Sequence, residues 1–214
     1  AVAFGEEYAR KVDRSYRMIN AALEGDLQTV RRLQIELSVA VAGTKFAKAA
    51  DAAMRASVDF VDPRHVAGAV YAAAQENRTE VLRLLHEMRA DLDKPNTAEG
   101  GTPAGIAAQF GHTAMVQLLY DLGADIHRAA NDGGRPIHDA AQLGNDKTVL
   151  LLLSLRAHVD AQENDSRTPC WLAAFRGHAK VLRLLVMHRA SFDLPNKKQN
   201  TPLWVAAQNN HPEC

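Results

Sequence analysis

The chain has little of what marks several common functional classes. Its 214 residues include two cysteines, Cys170 and Cys214, and 6% aromatic residues. Two cysteines cannot form a disulfide framework, so we expect a reducing, intracellular compartment. No apolar run approaches the roughly 18 residues that a membrane-spanning helix needs, so we expect no membrane insertion. Lys plus Arg equals Asp plus Glu at 25 each, so net charge gives no reason to expect nucleic acid as a partner.

The N-terminus also lacks a recognisable targeting signal. The chain begins Ala-Val-Ala-Phe, without methionine, and contains no intact signal peptide. We therefore expect a processed or trimmed start. The expected location is the cytoplasm, or an organelle after removal of a presequence.

What the sequence does contain is a proline that returns every 33 residues. Pro103, Pro136, Pro169 and Pro202 open near-copies of one block: TPAGIAAQFGH, RPIHDAAQLGN, TPCWLAAFRGH and TPLWVAAQNNH. A fixed period of this size is typical of stacked repeats, in which each unit buries its apolar face against its neighbours. We therefore expect function on an extended surface rather than in a pocket.

Each block predicts the start and end of a first helix. Thr before Pro caps the helix start, whereas Arg135 replaces Thr in one block and predicts a weaker cap. The Ala-Ala pair provides a thin face that lets adjacent helices approach closely. Gly111, Gly144 and Gly177 predict a left-handed helix end, and Asn210 is the next-best residue at that position.

A second helix and a polar turn follow each first helix. The second helix carries an apolar stripe, such as Val181, Leu182, Leu184 and Leu185. The turn after it reads Gly-Ala-Asp-Ile-His at 123–127 and predicts a hairpin that projects from the stack. Three equivalent turns have Arg instead of Gly, and a left-handed backbone there costs about 1 kcal/mol at each. These residues are Arg89, Arg156 and Arg189.

This pattern resembles the ankyrin repeat, whose motif is Gly-x-Thr-Pro-Leu-His-x-Ala-Ala-x-x-Gly-His, then a Leu-Leu helix and a Gly-Ala-Asp turn. The resemblance covers residues 62–214 and implies an all-α solenoid of stacked antiparallel helix pairs with hairpin tips. His138 matches the motif histidine, which implies that it braces the hairpin by hydrogen bonding. The expected repeats are 62–96, 97–129, 130–162, 163–195 and, in part, 196–214.

Two alignments compete before residue 62. The turn-like segment 55–59 places Val39-Ala40 at the Ala-Ala pair and Gly43-Thr44 at Gly-His, which predicts a degenerate repeat at 26–61 with helices near 26–42 and 45–54. The segment 19–26 also matches the end of an ankyrin first helix, and both cannot be full repeats. We expect residues 1–25 to form a cap instead, because terminal repeats are atypical. Its helix, 7–23, would carry Tyr8, Val12, Tyr16 and Ile19 on one face.

The sequence indicates no catalytic or metal site. No Ser/His/Asp arrangement, carboxylate pair or phosphate loop can be assembled from it. His112, His178 and His211 are equivalent positions of different repeats, so we expect structural roles in the turn between helices rather than convergence on one ion. Cys170 takes the place of an inward-facing leucine and is expected to be a buried, inert thiol. We expect no enzyme, no cofactor and no small-molecule substrate.

The positions that vary between repeats predict the binding surface. By resemblance, a partner would contact the hairpin tips and the inner, concave helices. Aromatic residues and arginine concentrate binding energy, and cations orient a charged partner. The expected anchors are Phe110, Leu143, Trp171, Phe175 and Trp204, and the orienting cations are Arg167, Arg176, Lys197 and Lys198. Packing of the two tryptophans against each other, and ordinary solvated tips, are the alternatives.

The sequence therefore predicts a protein–protein interaction scaffold or adaptor whose partner is another protein. Only Pro-Glu-Cys follows His211, so we expect the natural protein to continue or a partner to cover this edge. That shortness motivates one alternative, a regulatory or targeting segment of a larger enzyme, channel or ubiquitin ligase. The unusual N-terminal region motivates another, a structural subunit of a large assembly.

Overall fold

The computed structural model describes residues 13–14, 17–42 and 68–214, with only the backbone of 37–42. These residues form eleven helices and no strand, which confirms the all-α class. No helix among them is long and apolar enough to cross a bilayer. The helices are α1 (17–24), α2 (Leu27–Ala42), α3 (Ala69–Gln75), α4 (Thr79–Glu87), α5 (Pro103–Gln109), α6 (Thr113–Asp121), α7 (Pro136–Gln142), α8 (Asp146–Ser154), α9 (Pro169–Arg176), α10 (Ala179–Met187) and α11 (Pro202–Gln208).

The chain divides into two compact units, Ala1–Pro103 and Ala104–Cys214. In the second unit, first helices of seven or eight residues alternate with second helices of nine. Helices this short are marginal alone, so packing must stabilise them. First helix α9 packs against both α7 and α11, while second helix α8 packs against α6 and α10. The predicted stack of helix pairs is therefore confirmed in this unit.

Small side chains on the first helices allow this close packing. Ala107, Ala140 and Ala173 are fully buried, as is the alanine that follows each of them. The apolar stripes of the second helices are buried beside them, with Val181 and Leu185 fully enclosed. Because a protein interior is close-packed, a larger residue at an alanine position would push neighbouring helices apart.

The turn between the two helices of a pair has one repeated geometry. Gly111, Gly144 and Gly177 have φ between 69° and 77°, and Asn210 has φ 56°, so the predicted left-handed helix ends are confirmed. The residue that follows each of these positions donates its N–H to the carbonyl of the alanine five positions before it. His178, for example, donates to the Ala173 carbonyl at 2.9 Å. This pair of features closes the last turn of the first helix.

The later turn, after each second helix, is left-handed as well. Arg89, Arg156 and Arg189 have φ of 60°, 66° and 67° at the positions equivalent to Gly123, which has φ 91°. The predicted left-handed backbone is thus confirmed at all three arginines.

The first helices begin as the Thr-Pro pairs predict. Thr168 accepts a hydrogen bond from the Trp171 N–H at 3.1 Å, and Thr201 accepts one from Trp204 at 3.2 Å. The Arg135 side chain forms no such cap on α7. Instead, the Arg135 N–H donates to Nδ1 of His138 at 3.1 Å, so the histidine satisfies this helix start.

Tight loops precede the first helices, and neighbouring loops are joined by backbone hydrogen bonds. Loop 130–134 closes with a bond from the Ala130 N–H to the Gly134 carbonyl at 2.8 Å; loops 163–167 and 196–200 close in the same way. Asn164 donates its N–H to the carbonyl of Asp132 at 2.8 Å, and Lys197 donates to that of Asp165 at 2.9 Å. The predicted hairpin tips therefore form a connected row in the second unit.

In the first unit, the structure favours the 19–26 alignment. The Asp26 N–H donates to the Ala21 carbonyl at 2.9 Å, and Gly25 has φ 74°. This is the same geometry as in the turns between paired helices of the second unit. Arg78 Nε donates to the Leu23 carbonyl at 3.3 Å, so this pair adjoins α3 and α4 directly. Val39-Ala40 lies within the long helix α2 and not at the end of a first helix.

The predicted helix near 26–42 is confirmed as α2, but as the second helix of its pair. We infer that 17–42 is an ankyrin-type helix pair, rather than an extra cap followed by a separate repeat from residue 26. Other parts of the N-terminal predictions lie outside the described residues: Tyr8, Val12, Tyr16, the helix at 45–54 and the turn at 55–59.

Candidate protein-binding surface

The most distinctive side-chain cluster of the second unit runs along α9. Trp171 and Phe175, one helical turn apart, stack with ring centroids 5.4 Å apart and planes 12° from parallel. The guanidinium of Arg167 lies over Trp171 at 5.8 Å, and that of Arg176 lies over Phe175 at 5.4 Å. Two aromatic rings are thus covered at both ends by cations, an arrangement stabilised by the ring quadrupoles.

Trp171 is the buried member of this cluster. Its side chain is 7% exposed, and its indole Nε1–H donates to the Asn200 carbonyl at 3.0 Å. It therefore links α9 to the loop before α11, and it stacks on Phe175 rather than on Trp204. Any contact of Trp171 with a partner would be small in area.

Arg167 is held by internal ion pairs. Its Nε pairs with Glu163, whose side chain is 5% exposed, and its Nη2 lies 3.5 Å from Asp165 Oδ2. A buried carboxylate needs such a partner because an unpaired charge is costly to desolvate. Sequence reasoning missed Glu163, although its i, i+4 spacing from Arg167 was a usable signal.

The remaining predicted anchors are exposed. Their exposed fractions are 55% for Phe110, 46% for Leu143, 37% for Phe175 and 46% for Trp204. Leu143 follows α7, Phe175 lies on α9 and Trp204 lies on α11, three first helices that are adjacent in the stack. We call the exposed sides of α7, α9 and α11 the first-helix face. Phe110 stacks on His112 at 5.8 Å at the end of α5.

Three predicted cations stay available beside this face. Arg176, Lys197 and Lys198 are exposed, and none takes part in an ion pair among the described residues. Arg176 ends α9, whereas the two lysines lie in loop 196–200. Their charge is therefore open to solvent and to a partner.

Polar side chains join successive helix pairs by hydrogen bonds next to the first-helix face. His178 Nε2 lies 3.0 Å from the Gln142 carbonyl, and His211 Nε2 lies 3.2 Å from that of Phe175. The side-chain amide of Asn145 also joins two helix pairs, because its Nδ2 donates to the carbonyls of Ala108 and Gln109, each at 2.8 Å. The structural role predicted for His178 and His211 is confirmed, whereas sequence reasoning missed Asn145.

His138 joins a helix start to a loop. Its Nδ1 accepts from the Arg135 N–H, so Nε2 carries the proton and donates to the Ala161 carbonyl at 2.9 Å. Burial lowers the pKa of His138 to about 4, because the charged imidazolium would lose its hydration. The predicted bracing role is confirmed, and the residue is held neutral.

The thiol of Cys170 does not resemble a reactive site. It is fully buried at the start of α9, and burial raises its pKa to about 12. A thiol needs its thiolate form to react, so this one is inert near neutral pH, as predicted. No group of His, Cys, Asp or Glu side chains in the described part of the chain is arranged to hold a metal ion.

Comparison with known proteins agrees with this architecture. The family model described as ankyrin repeats (3 copies) matches residues 18–130, 69–163 and 137–214. An ankyrin repeat and KH domain-containing protein from Caenorhabditis briggsae is 36% identical over 50 residues, which is 23% of this chain. The chain spans 2% of the length of that relative.

Ankyrin repeats are generally protein–protein interaction modules, generally non-enzymatic and commonly found inside cells. The three matches together extend from residue 18 to 214, and the first helices α5, α7, α9 and α11 follow the 33-residue period. This chain belongs to the ankyrin-repeat family.

Proposed function

We propose that the second unit is a recognition module that binds a partner protein through the first-helix face and loop 196–200. The observation that carries the proposal is the exposure of Leu143, Phe175 and Trp204 on three adjacent first helices. Large apolar side chains on a rigid support lose little conformational entropy on binding, which favours their use as anchors. Trp171 stabilises the Phe175 ring by stacking on it, and Arg167 stabilises loop 163–167 through its ion pair with Glu163.

The chemistry of the site favours binding over catalysis. Two buried titratable groups, His138 and Cys170, are held in their neutral forms by desolvation, and the buried carboxylate of Glu163 is paired with Arg167. They lie in the packed interior, where they cannot meet a substrate. We therefore propose a scaffold or adaptor role inside the cell. The two alternatives, a segment of a larger enzyme, channel or ligase and a subunit of a large assembly, stay predictions.

The double variant Phe175→Ala/Trp204→Ala tests the proposal. We expect partners captured from a cell extract by the wild-type chain to be lost, with affinity for each purified partner falling at least about 30-fold. Tyr120→Ala is the matched control, because Tyr120 is equally exposed but lies on second helix α6. Affinity should change less than twofold in this control. Equal losses in both variants, or a collapse of the thermal transition in the double variant alone, would contradict a specific binding role.

A further inference from the structure

The charges around the first-helix face are unevenly distributed. Helices α9 and α11 contain no acidic residue, and neither does loop 196–200. Helix α9 carries Arg176, and loop 196–200 carries Lys197 and Lys198, all exposed. One end of the face is therefore basic, although the whole chain has no net charge.

Nearby carboxylates offset this charge only in part. Glu163 and Asp165 both pair with the single cation Arg167, which leaves one net negative charge in loop 163–167 against the three cations Arg176, Lys197 and Lys198. Farther along the row, loop 130–134 contains Asp132 and α7 contains Asp139, but Arg135 lies between them at the start of α7. The positive charge of the face is therefore concentrated at its α9–α11 end, where an acidic partner would be complementary.

Apolar and basic groups are close together at the basic end. Phe175 and Arg176 are consecutive residues, with the guanidinium over the phenyl ring. Trp204 lies in the first turn of α11, whose capping residue Thr201 directly follows loop 196–200 and its two lysines. A ligand that fits this region needs one apolar group beside negative charge.

We propose that the partner binds through an acidic, extended peptide segment that carries a large apolar side chain. The apolar side chain packs between Phe175 and Trp204, and the neighbouring carboxylates lie over Arg176, Lys197 and Lys198. This proposal rests on the proposed function and adds the chemical class of the ligand.

The aromatic geometry favours such a peptide over a single-stranded nucleic acid. Bases bind single-strand sites by stacking on open aromatic faces. Trp171 and Phe175 are stacked on each other and covered by guanidinium groups, and Trp171 is buried.

Selection from a display library of random 15-residue peptides on the wild-type chain tests this proposal. We expect the selected peptides to contain two or more Asp or Glu residues within about four positions of Trp, Phe or Leu. Affinity for a synthetic selected peptide should fall about tenfold in Lys197→Glu/Lys198→Glu, and should weaken as NaCl rises from low to high concentration. A copy of the peptide with Lys in place of its acids should prefer the charge-reversed variant.

A matched charge reversal on second helix α10, Lys180→Glu/Arg183→Glu, is the control and should leave affinity within twofold. Neutral or basic selected peptides that still need Phe175 and Trp204 would overturn the acidic ligand and leave the proposed function intact. Binding that survives Phe175→Ala/Trp204→Ala would overturn the proposed function itself. Enrichment of no peptide, or displacement of the peptide by a 12-nucleotide single-stranded RNA, would overturn the peptide class.

Discussion

At the scale of single residues, His138 shows how burial converts a titratable group into a structural one. Both ring nitrogens are used, one as acceptor at a helix start and one as donor to Ala161. A proton added to Nδ1 would break the first bond and bury a charge. The folded chain therefore resists protonation of this ring until the pH approaches the lowered pKa of about 4.

This resistance predicts a pH-dependent stability. Below pH 6.5 the unfolded chain protonates His138 while the folded chain does not, so the free energy of unfolding falls as pH drops from 6.5 to about 4. His138 alone lowers the free energy of unfolding by about 3 kcal/mol over that pH range. Urea unfolding at several pH values should show a steeper decline in wild type than in His138→Gln. Parallel pH curves for the two proteins would rule out this role for His138.

The left-handed arginines give a second prediction at this scale. Arg156 has φ 66°, a conformation that strains any residue with a Cβ atom. Arg156→Gly should therefore raise the free energy of unfolding by about 0.5–1 kcal/mol, the strain relief exceeding the added flexibility of the unfolded chain. Gly123→Ala is the reverse substitution and serves as the control. Gly123 has φ 91°, and a Cβ added there would meet no atom within 4 Å. That variant should lose stability through strain alone. Denaturant midpoints measured side by side decide whether the two changes have opposite signs.

At the scale of the element, helix α9 depends on its cap. Thr168 is fully buried and its hydroxyl accepts from the Trp171 N–H, so the cap also positions the aromatic pair. Thr168→Ala should cost about 1 kcal/mol of stability and Thr168→Ser much less, because serine keeps the acceptor. Tryptophan fluorescence and thermal unfolding measure both effects. If Thr168→Ser destabilises as much as Thr168→Ala, the methyl packing of Thr168 matters more than its hydroxyl.

At the scale of the whole molecule, the period of the prolines was sufficient to predict the helix pairs, their caps and their left-handed ends. Each repeat uses the same local chemistry, so the sequence alone locates Thr168, Gly177 and their equivalents. Side-chain exposure was less predictable. Trp171 and Trp204 occupy equivalent positions, yet Trp171 is buried and Trp204 is half exposed, because loop 196–200 covers Trp171.

The N-terminal register is hard to derive from the sequence for a related reason. A count backward from residues 55–59 assumes a constant period, whereas the contact between Gly25 and Arg78 does not follow that period. Arg78 lies 3.1 Å from where a Cβ on Gly25 would be, the same relation that His178 has to Gly144. This contact between repeats involves residues 53 positions apart, so a search at a period of 33 cannot find it.

Contacts between neighbours also govern how damage spreads through the second unit. In a stacked-repeat protein, each repeat is stabilised by itself and by its immediate neighbours, so a local defect weakens nearby repeats most. Leu185 is fully buried in α10, and Leu185→Ala should cost about 2–5 kcal/mol. Hydrogen exchange followed by mass spectrometry should then show lost protection in α9, α10 and α11, while α5 and α6 keep most of theirs. Uniform loss of protection from α5 to α11 would mean that the unit unfolds as one cooperative block. Local unfolding at one end of the first-helix face would then destroy the whole binding surface.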